Sequence, residues 1–467
     1  MTKSFTLSPS ARAVVSLLFA VGAVPAFAAG FQLNETSGSG LGSAFAGGAA
    51  IAEDASTMWS NVAGMSRIRS TQVVGTLHLV QPSLKFRDGG SVAATNQVLG
   101  GNGGDAGGLN FVPNLYVVKP IDTNLAVGIG MTGPWGLVTE YDAGWAGRFQ
   151  AIKSGIKTIN INPGVSYKAS GGVALGFGLN LQHMSAEFTN QVNYSGALLS
   201  AAVLGGATPL QQAAVAAATP GLESGARVKG SDNAYGWNAG ALWDVGAGSR
   251  IGAHYRSPVK YHLDGNASFS NPALSPLLGP LIGGLGAAVN AGRLFDSAIT
   301  SDVKIPAVVN LSWFGALNDR WDMMADAQWT GWSSIKTLSF VRADGTVLQS
   351  TPENFKNTWK LAVGANHRYS DALTFKGGLA FDRSPVQTAF RTARLPDADR
   401  TWLTAGVQYR PNPKMTVDFG AAYVFVKKAT IDSNPTRDPL VTAAGGLLNG
   451  SYKSNTKILT AQVNYAF

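Results

Sequence analysis

Residues 29–70 read AGFQLNETSGSGLGSAFAGGAAIAEDASTMWSNVAGMSRIRS, and the rest of the chain is best understood around this stretch, called here the N-terminal segment. Small residues dominate it, and a few large apolar side chains such as Phe31 and Leu33 are scattered among them. It has neither the alternation of a β-strand nor the continuous apolar stripe of a helix. If the remaining chain forms a closed barrel, the interior of that barrel is where such a segment can be buried.

The first 28 residues have the organisation of a secretory signal peptide. Lys3 and Arg12 flank the start, residues 13–24 form a short apolar run, and Ala26-Phe27-Ala28 supplies a small-residue cleavage site. Cleavage after Ala28 would begin the mature chain at residue 29. The alternative is an uncleaved membrane anchor, which the shortness of the apolar run disfavours.

The composition excludes several classes of protein. The chain has no Cys, which rules out disulfides and thiolate metal sites. Only 13% of residues are charged, and the basic residues behind the formal net charge of +9 are dispersed, so no nucleic-acid partner is predicted. No metal or cofactor site is visible in the sequence. The 57 Gly and 9% aromatic residues are typical of a membrane β-barrel with aromatic girdles.

After the signal peptide, runs of alternating polar and apolar residues recur, and no stretch is long and apolar enough for a spanning helix. We count fourteen runs, near 71–87, 109–119, 124–133, 156–168, 171–189, 229–245, 249–265, 300–315, 320–340, 357–369, 372–383, 400–410, 414–429 and 455–467. Because successive strand side chains point to opposite faces, each run has an apolar face, such as Trp359, Leu361, Val363 and Ala365. A large soluble β-sandwich or barrel would show the same alternation.

The connections between the runs favour a membrane barrel. Tight turns such as Asp122-Thr123 and Ser370-Asp371 alternate with long loops at 88–108, 134–155, 190–228, 266–299, 341–356, 384–399 and 430–454. Outer-membrane barrels have short turns on the periplasmic rim and long loops outside, with an even strand number. We therefore predict an all-β fold, a 14-stranded antiparallel transmembrane barrel over 71–467, with the N-terminal segment as a hatch that plugs the lumen.

The last strand supports closure of this barrel. Leu459, Ala461, Val463, Tyr465 and the terminal Phe467 share one face. In lipid every backbone polar group must be paired, so the last strand must join the first. A terminal aromatic residue on such a strand resembles the signal by which barrel-assembly machinery recognises its substrates. Fourteen strands enclose a lumen wide enough to leak unless it is filled.

Several motifs resemble the FadL family of outer-membrane transporters for long-chain fatty acids, whose TodX-like branch takes up aromatic hydrocarbons. GFQLNE (30–35), SGLG (39–42) and AEDA (52–55) resemble the family's hatch, and WAGRFQA (145–151), GLAFDRSPV (378–386) and LPDADRTWLTAG (395–406) resemble later blocks. One departure is Asn61-Val62-Ala63, where the family has Asn-Pro-Ala. The loss of Pro removes a fixed φ angle.

The resemblance implies a path for the cargo. Hydrophobic molecules would be captured outside in a groove between two extracellular loops and would then move to an internal site. A shift of the hatch and a kink in the third strand would open a lateral exit through the wall. Lipopolysaccharide and outer-membrane lipid would surround a monomeric barrel. The sequence leaves open whether fatty acids or aromatic hydrocarbons are carried.

Candidate binding residues follow from loop composition and from the family's path. In the hatch they are Phe31 and Leu33. In loops 190–228 and 266–299, which are unusually apolar for exposed loops, they are Leu198, Leu199, Leu204, Leu277, Leu278, Leu281, Ile282 and Leu285. These loops could instead pack on each other and only cap the barrel. Possible partners of an acyl carboxylate are Arg148, Lys356, Arg383, Arg391, Arg394 and Arg400; pairing with acids such as Asp382, Asp397 or Asp399 is the alternative.

Two rival functions are weighed against uptake of hydrophobic compounds. A lipid hydrolase needs a nucleophile, a base and an orienting group, and the five His residues show no such constellation with Ser. A general porin needs an open polar lumen, which a hatch would block. The sequence therefore predicts a transport protein without enzymatic activity.

Overall fold

Alternating side chains build the wall of a closed barrel in the computed structural model, which describes residues 30–246 and 248–467. The predicted signal peptide, 1–28, lies outside these described residues. β1 pairs with β2 on one side and with β20 on the other, and all pairings around the wall are antiparallel. The strand segments are β1 (Gln72–Asp88), β2 (Asn110–Pro120), β3 (Leu125–Thr132), β4 (Gly136–Glu140), β5 (Lys153–Lys168), β6 (Val173–Asn193), β7 (Glu223–Gly246), β8 (Ser249–Arg256), β9 (Val259–Ser270), β10 (Ser297–Ile305), β11 (Val308–Ala316), β12 (Trp321–Thr330), β13 (Thr337–Arg342), β14 (Val347–Pro352), β15 (Thr358–Arg368), β16 (Leu373–Asp382), β17 (Arg400–Asn412), β18 (Met415–Val426), β19 (Ala429–Asp432) and β20 (Asn449–Ala466).

These twenty segments of the described chain make fourteen wall strands, because six strands consist of two successive segments each. The pairs of segments are β3 with β4, β8 with β9, β10 with β11, β12 with β13, β14 with β15, and β18 with β19. The predicted 14-stranded antiparallel barrel is thereby confirmed. Three details of the prediction are wrong: residues 136–140, 347–352 and 430–432, assigned to loops, belong to β4, β14 and β19. All three are parts of strands separated from the rest by an interruption, which alternation over a short run does not reveal.

The two faces of the wall have opposite polarity. Leu175 and Phe177 of β6 and Leu361 of β15 point outward and are about half exposed (54%, 47% and 53%). The intervening β6 residues Asn180 and Gln182 point inward and are buried. An apolar exterior around a polar interior is the pattern of a barrel whose solvent is lipid.

The N-terminal segment lies inside this wall. It contains the short helices α1 (Gly38–Gly42), α2 (Gly48–Ile51) and α3 (Thr57–Ser60) and a 3₁₀ helix, Val62–Arg67. The Gly38 N–H donates to Gln462 Oε1 of β20, and the Asn61 amide donates to the Ala241 carbonyl of β7, so the segment bonds to well-separated strands. Wall glycines allow this close approach: a Cβ on Gly252 would lie 1.9 Å from the Ala49 carbonyl oxygen.

The long loops carry further helices: α4 (Tyr194–Leu204), α5 (Pro209–Ala218), α6 (Gly279–Gly292) and α7 (Pro439–Gly445). Three short 3₁₀ helices, Pro276–Leu278, Trp332–Ser334 and Thr388–Phe390, complete them. Within the described part of the chain, no helix is long and apolar enough to cross a membrane.

Candidate functional site

An aromatic cluster surrounds the start of the N-terminal segment. The Phe31 ring lies edge-on to Trp135 and Trp332, with centroids 5.8 and 5.1 Å away, and Trp332 contacts Phe355 at 5.9 Å. We call Phe31, Trp135, Trp332 and Phe355 the aromatic cluster. Buried apolar side chains from seven wall elements and connections continue it, including Leu137, Met184, Val259, Tyr261, Ile305, Val386 and Leu395. The barrel interior thus contains an apolar region beside the start of the N-terminal segment.

The aromatic cluster adjoins an interruption of the third wall strand. β3 ends at Thr132 and β4 begins at Gly136, and both segments pair with β5. On the other side only β3 pairs with β2; in the described chain no ladder joins β2 to β4. The backbone pairing of the wall is therefore interrupted beside residues 133–135, in the strand where the family resemblance predicts a kink.

The N-terminal segment itself supplies the missing backbone partners at this gap. Gln32 forms an isolated antiparallel bridge with Trp135. The Leu33 N–H donates to the Pro134 carbonyl at 2.9 Å, and the Gly136 N–H donates to the Phe31 carbonyl at 2.8 Å. Since unpaired backbone groups are costly next to lipid, this short pairing closes the wall.

The first described residue fixes the position of the segment from the other side. The Gly30 N–H donates to Asp397 Oδ2 at 2.8 Å. The φ of Gly30 is +61°, and a Cβ would lie 2.7 Å from Trp332, so both the backbone conformation and the packing favour Gly. Asp397 also accepts from Arg400 at 2.5 Å, while Arg391 donates to its carbonyl at 3.1 Å.

The candidate cations are not brought into one site. Arg391 and Arg400 meet at Asp397 beside Gly30, whereas Arg148 pairs with Glu223 at 2.7 Å in the loop layer. Lys356 and Arg383 are exposed. The pairing of Arg400 with Asp397 matches the alternative in which these charges serve the wall and loops.

A buried arginine and a buried carboxyl lie beside the aromatic cluster. The Arg394 guanidinium donates to Ser154 Oγ and Asn190 Oδ1, and burial lowers its pKa to about 10. Burial also raises the pKa of the Glu353 carboxyl to about 7, an effect that Arg394 partly offsets. Arg394 thus stays charged at neutral pH, while Glu353 titrates near neutrality.

The structure brings the two predicted groove loops together. Leu198 of α4 and Ile282 of α6 are buried in their mutual contact, with Tyr194, Val215 and Val289. Leu199, Leu278 and Leu285 are partly buried against this contact. Leu204, Leu277 and Leu281 are exposed (79%, 97% and 42%). The contact between the two loops has an apolar interior and an apolar exposed rim. The rim agrees with capture of cargo, and the interior agrees with loops that pack on each other and cap the barrel.

The middle of the N-terminal segment is held by polar side chains. Lys376 Nζ of β16 donates to Ser39 Oγ at 2.7 Å and contacts carboxylate oxygens of Glu53 and Asp418 at 3.0 and 3.3 Å. Gln462 Nε2 donates to Asp54 Oδ2 at 2.7 Å. We call Lys376, Glu53, Asp418, Gln462 and Asp54 the polar anchor.

Sequence reasoning named Phe31 and Leu33, which are both buried at the gap, but it missed their partners. Trp135 and Trp332 were not proposed, although each follows a helix- or strand-breaking residue, Pro134 or Gly331. An aromatic side chain beside such an interruption was the available signal. The polar anchor was also missed, because Glu53 and Lys376 are far apart in the chain.

A closed fourteen-stranded barrel, apolar outside and filled by its own N-terminal segment, defines an outer-membrane transport protein. The chain belongs to the family described as "Outer membrane protein transport protein (OMPP1/FadL/TodX)", whose sequence profile it matches over residues 19–467. Members of this family are transporters or channels and not enzymes, and their place is the outer membrane.

Individual relatives agree with this membership. The chain is 30% identical over 446 residues to the "Long-chain fatty acid transport protein" of Shigella flexneri, covering 93% of this chain and 96% of that protein. The structure resembles that of a Pseudomonas aeruginosa FadL homologue with a TM-score of 0.81 and 26% identity, covering 94% and 100% of the two chains. The Pseudomonas putida toluene transporter TodX shares the fold, with a TM-score of 0.62, 17% identity and coverage of 88% and 94%.

Proposed function

We propose that this protein takes up long-chain fatty acids across the outer membrane. The observation that carries the proposal is the position of the aromatic cluster, which lies directly beside a gap in the barrel wall that the N-terminal segment closes. The free energy of an apolar solute falls when it leaves water for such an apolar interior region, and lateral release into lipid keeps it out of water. Relatives at 30% identity over nearly the full chain are named for fatty acid transport.

The proposed route has three stages. Cargo first meets the exposed leucines of the groove, Leu204, Leu277 and Leu281, whose partly buried neighbours Leu199, Leu278 and Leu285 rest on buried Leu198 and Ile282. It then moves to the aromatic cluster, where its tail contacts Phe31 and Leu33. Movement of residues 31–33 away from 134–136 finally opens the wall between β2 and β4.

The domain division and remaining partners belong to the same proposal. Residues 1–28 would be removed as a signal peptide, residues 29–70 would act as the hatch, and residues 71–467 would form the barrel as a monomer in lipid and lipopolysaccharide. Recognition by the barrel-assembly machinery through β20 is supported by its alternating outer face, in which Leu459 and Phe467 are exposed.

The direct test measures uptake in cells that lack their own fatty acid transporter. Cells expressing the full chain are given ¹⁴C-labelled oleate or toluene as separate substrates, and initial rates are compared with those of empty-vector cells. We expect oleate uptake well above the vector level. Uptake of toluene without oleate would overturn the fatty acid assignment in favour of aromatic hydrocarbons, and release of fatty acid from phospholipid by the purified protein would indicate a hydrolase.

A further inference from the structure

A small internal cavity of about 100 Å³ separates the N-terminal segment from the barrel wall. The segment contributes Gln32, Phe45 and Trp59 to its lining, and the third wall strand contributes Pro134 and Trp135 at the gap. The opposite lining comes from the seventh to tenth wall strands. The cavity therefore reaches from the lateral gap to a different part of the wall.

A polar row crosses that part of the wall at one level. Cross-strand register places His254 opposite Asn310, Asn310 opposite Gln328, and Gln328 opposite Lys360. All four line the cavity. Neighbouring strands lie about 4.8 Å apart, so these side chains form a continuous polar surface facing the segment.

Lys360 is the unusual member of this row. It is only 4% exposed, and no hydrogen bond or ion pair joins its ammonium group to the residues that the structure describes. Nζ lies over the rings of Phe45 and Trp402, 5.1 and 5.2 Å from their centroids. The buried carboxyls of Asp382, Asp326 and Glu35 interact with it electrostatically, but none lies within ion-pair distance, so the ammonium can still pair with a closer anion.

The three acids that line the cavity have other partners. Asp326 accepts from Ser312 and Asn310, Glu53 pairs with Lys376, and Asp54 accepts from Gln462. A second cavity cation, Arg256, donates to Asn180 and to the Trp59 carbonyl and lies 3.5 Å from the Trp59 ring centroid. Both Arg256 and Lys360 thus lack a carboxylate within ion-pair distance among the described residues.

We infer that Lys360 receives the carboxylate of the cargo while the acyl tail leaves through the wall gap, an inference that rests on the proposed function. A carboxylate in the cavity would accept charge-assisted hydrogen bonds from Nζ, and Arg256 would supply a second positive charge. A neutral head group could form hydrogen bonds with the polar row but would gain no ion pair with Lys360. Lys360 would therefore select fatty acids over uncharged oily molecules after capture, at the step that precedes release.

A purely structural role for Lys360 predicts different behaviour. It would balance the nearby buried carboxyls of Asp326, Asp382 and Glu35. Asp382 is its cross-strand neighbour, and neither carboxylate oxygen of Glu35 has a hydrogen-bond partner among the described residues. Loss of that balance would weaken the barrel and reduce transport of every cargo alike. The two roles are separated by comparing a charged cargo with a neutral cargo of the same chain length.

The test uses the full chain in transporter-deficient cells and measures initial uptake of ¹⁴C-oleate and ¹⁴C-oleyl alcohol over a range of concentrations. For Lys360→Met we expect the maximal oleate rate to fall about tenfold, the loss typical of a missing hydrogen bond to a charged group. The half-saturating concentration and the oleyl alcohol rate should stay within about twofold. Lys360→Arg should retain most of the oleate rate, and Lys304→Met, which removes an exposed lysine of β10, should behave as the parent.

Folding of each variant is checked by the shift in gel mobility between unheated and boiled samples. Equal loss of both cargoes in Lys360→Met, or an unchanged oleate rate, would overturn the inference. Failure of the proposed function looks different, because the parent chain would then take up neither cargo above the empty-vector level.

Discussion

The start and the middle of the N-terminal segment are held by different kinds of contact with the wall. Residues 30–33 lie among aromatic rings, and their main bonds are backbone bonds to residues 134–136 and one bond to Asp397. Residues 38–54 are held by wall side chains through the polar anchor, with Arg250 donating to the Ala50 and Ile51 carbonyls. The comparison teaches which part can move: a few backbone bonds at a wall gap can exchange with lipid or cargo, whereas a buried charge network cannot open cheaply.

The largest effect is expected from locking the gap. Leu33 and Pro134 face each other in the short antiparallel pairing, at a separation suited to a disulfide, and the chain has no other Cys. Oxidised Leu33→Cys/Pro134→Cys protein should reduce oleate uptake to the empty-vector level, since residues 31–33 could no longer leave the wall. The measurement is uptake by cells before and after treatment with a membrane-permeant reductant.

The reduced form of the same double variant is the matched control, and uptake should return with reduction. Each single Cys variant should be insensitive to the oxidant. If the oxidised double variant still transports oleate, the exit does not pass between residues 31–33 and 134–136, and the mobile end has been misassigned.

The next largest effect concerns the polar anchor in the middle of the segment. Lys376→Met would leave Glu53 and Asp418 without their shared cation, and breaking a buried ion pair from one side costs about 3–5 kcal/mol. We expect a correspondingly lower midpoint of guanidinium unfolding in detergent micelles, together with increased ion conductance in planar bilayers because the segment is loosened. If the unfolding midpoint and the ion conductance of the variant equalled those of the parent, the polar anchor would not be what holds the segment.

Much of the barrel was predictable because lipid imposes period-2 alternation on every wall strand. Leu361 and Val363 were assigned to an apolar face and do point outward. The strand break at 133–135 was not predictable, since Pro134 alone could equally mark the start of a loop. Within the site, Phe31 could be named from the hatch motif. The Lys376–Glu53 pair could not, because alternation gives the direction of a side chain but not its height relative to distant strands.

The third prediction concerns the buried carboxyl near the aromatic cluster. Burial raises the pKa of Glu353 from 4.5 to about 7, so the folded state holds a proton that the unfolded state has lost between those values. Stability therefore falls as pH rises from about 4.5 to about 7 and then levels off. Glu353→Gln removes this penalty, and its advantage over the parent should grow to about 3 kcal/mol at pH 8 while vanishing near pH 4.5.

Guanidinium unfolding at both pH values measures this difference. Glu140→Gln, which changes an exposed Glu at the end of β4, is the matched control and should track the parent at both values. An advantage of Glu353→Gln that did not depend on pH would point to packing and not to titration of the carboxyl.

The smallest effect is expected at the rim, where Arg67 pairs with Asp244. Its guanidinium nitrogen lies 2.9 and 3.1 Å from the two carboxylate oxygens, distances as short as those of Lys376, but both side chains are more than one third exposed. Water and salt screen such a pair, so Arg67→Ala should cost less than about 1 kcal/mol and lose even that effect in high salt. Comparing the unfolding midpoints of Arg67→Ala and Lys376→Met shows whether the burial of an ion pair or the number of its short contacts determines how firmly it holds the segment. Equal losses would mean that the rim contact holds the segment as firmly as the buried network does.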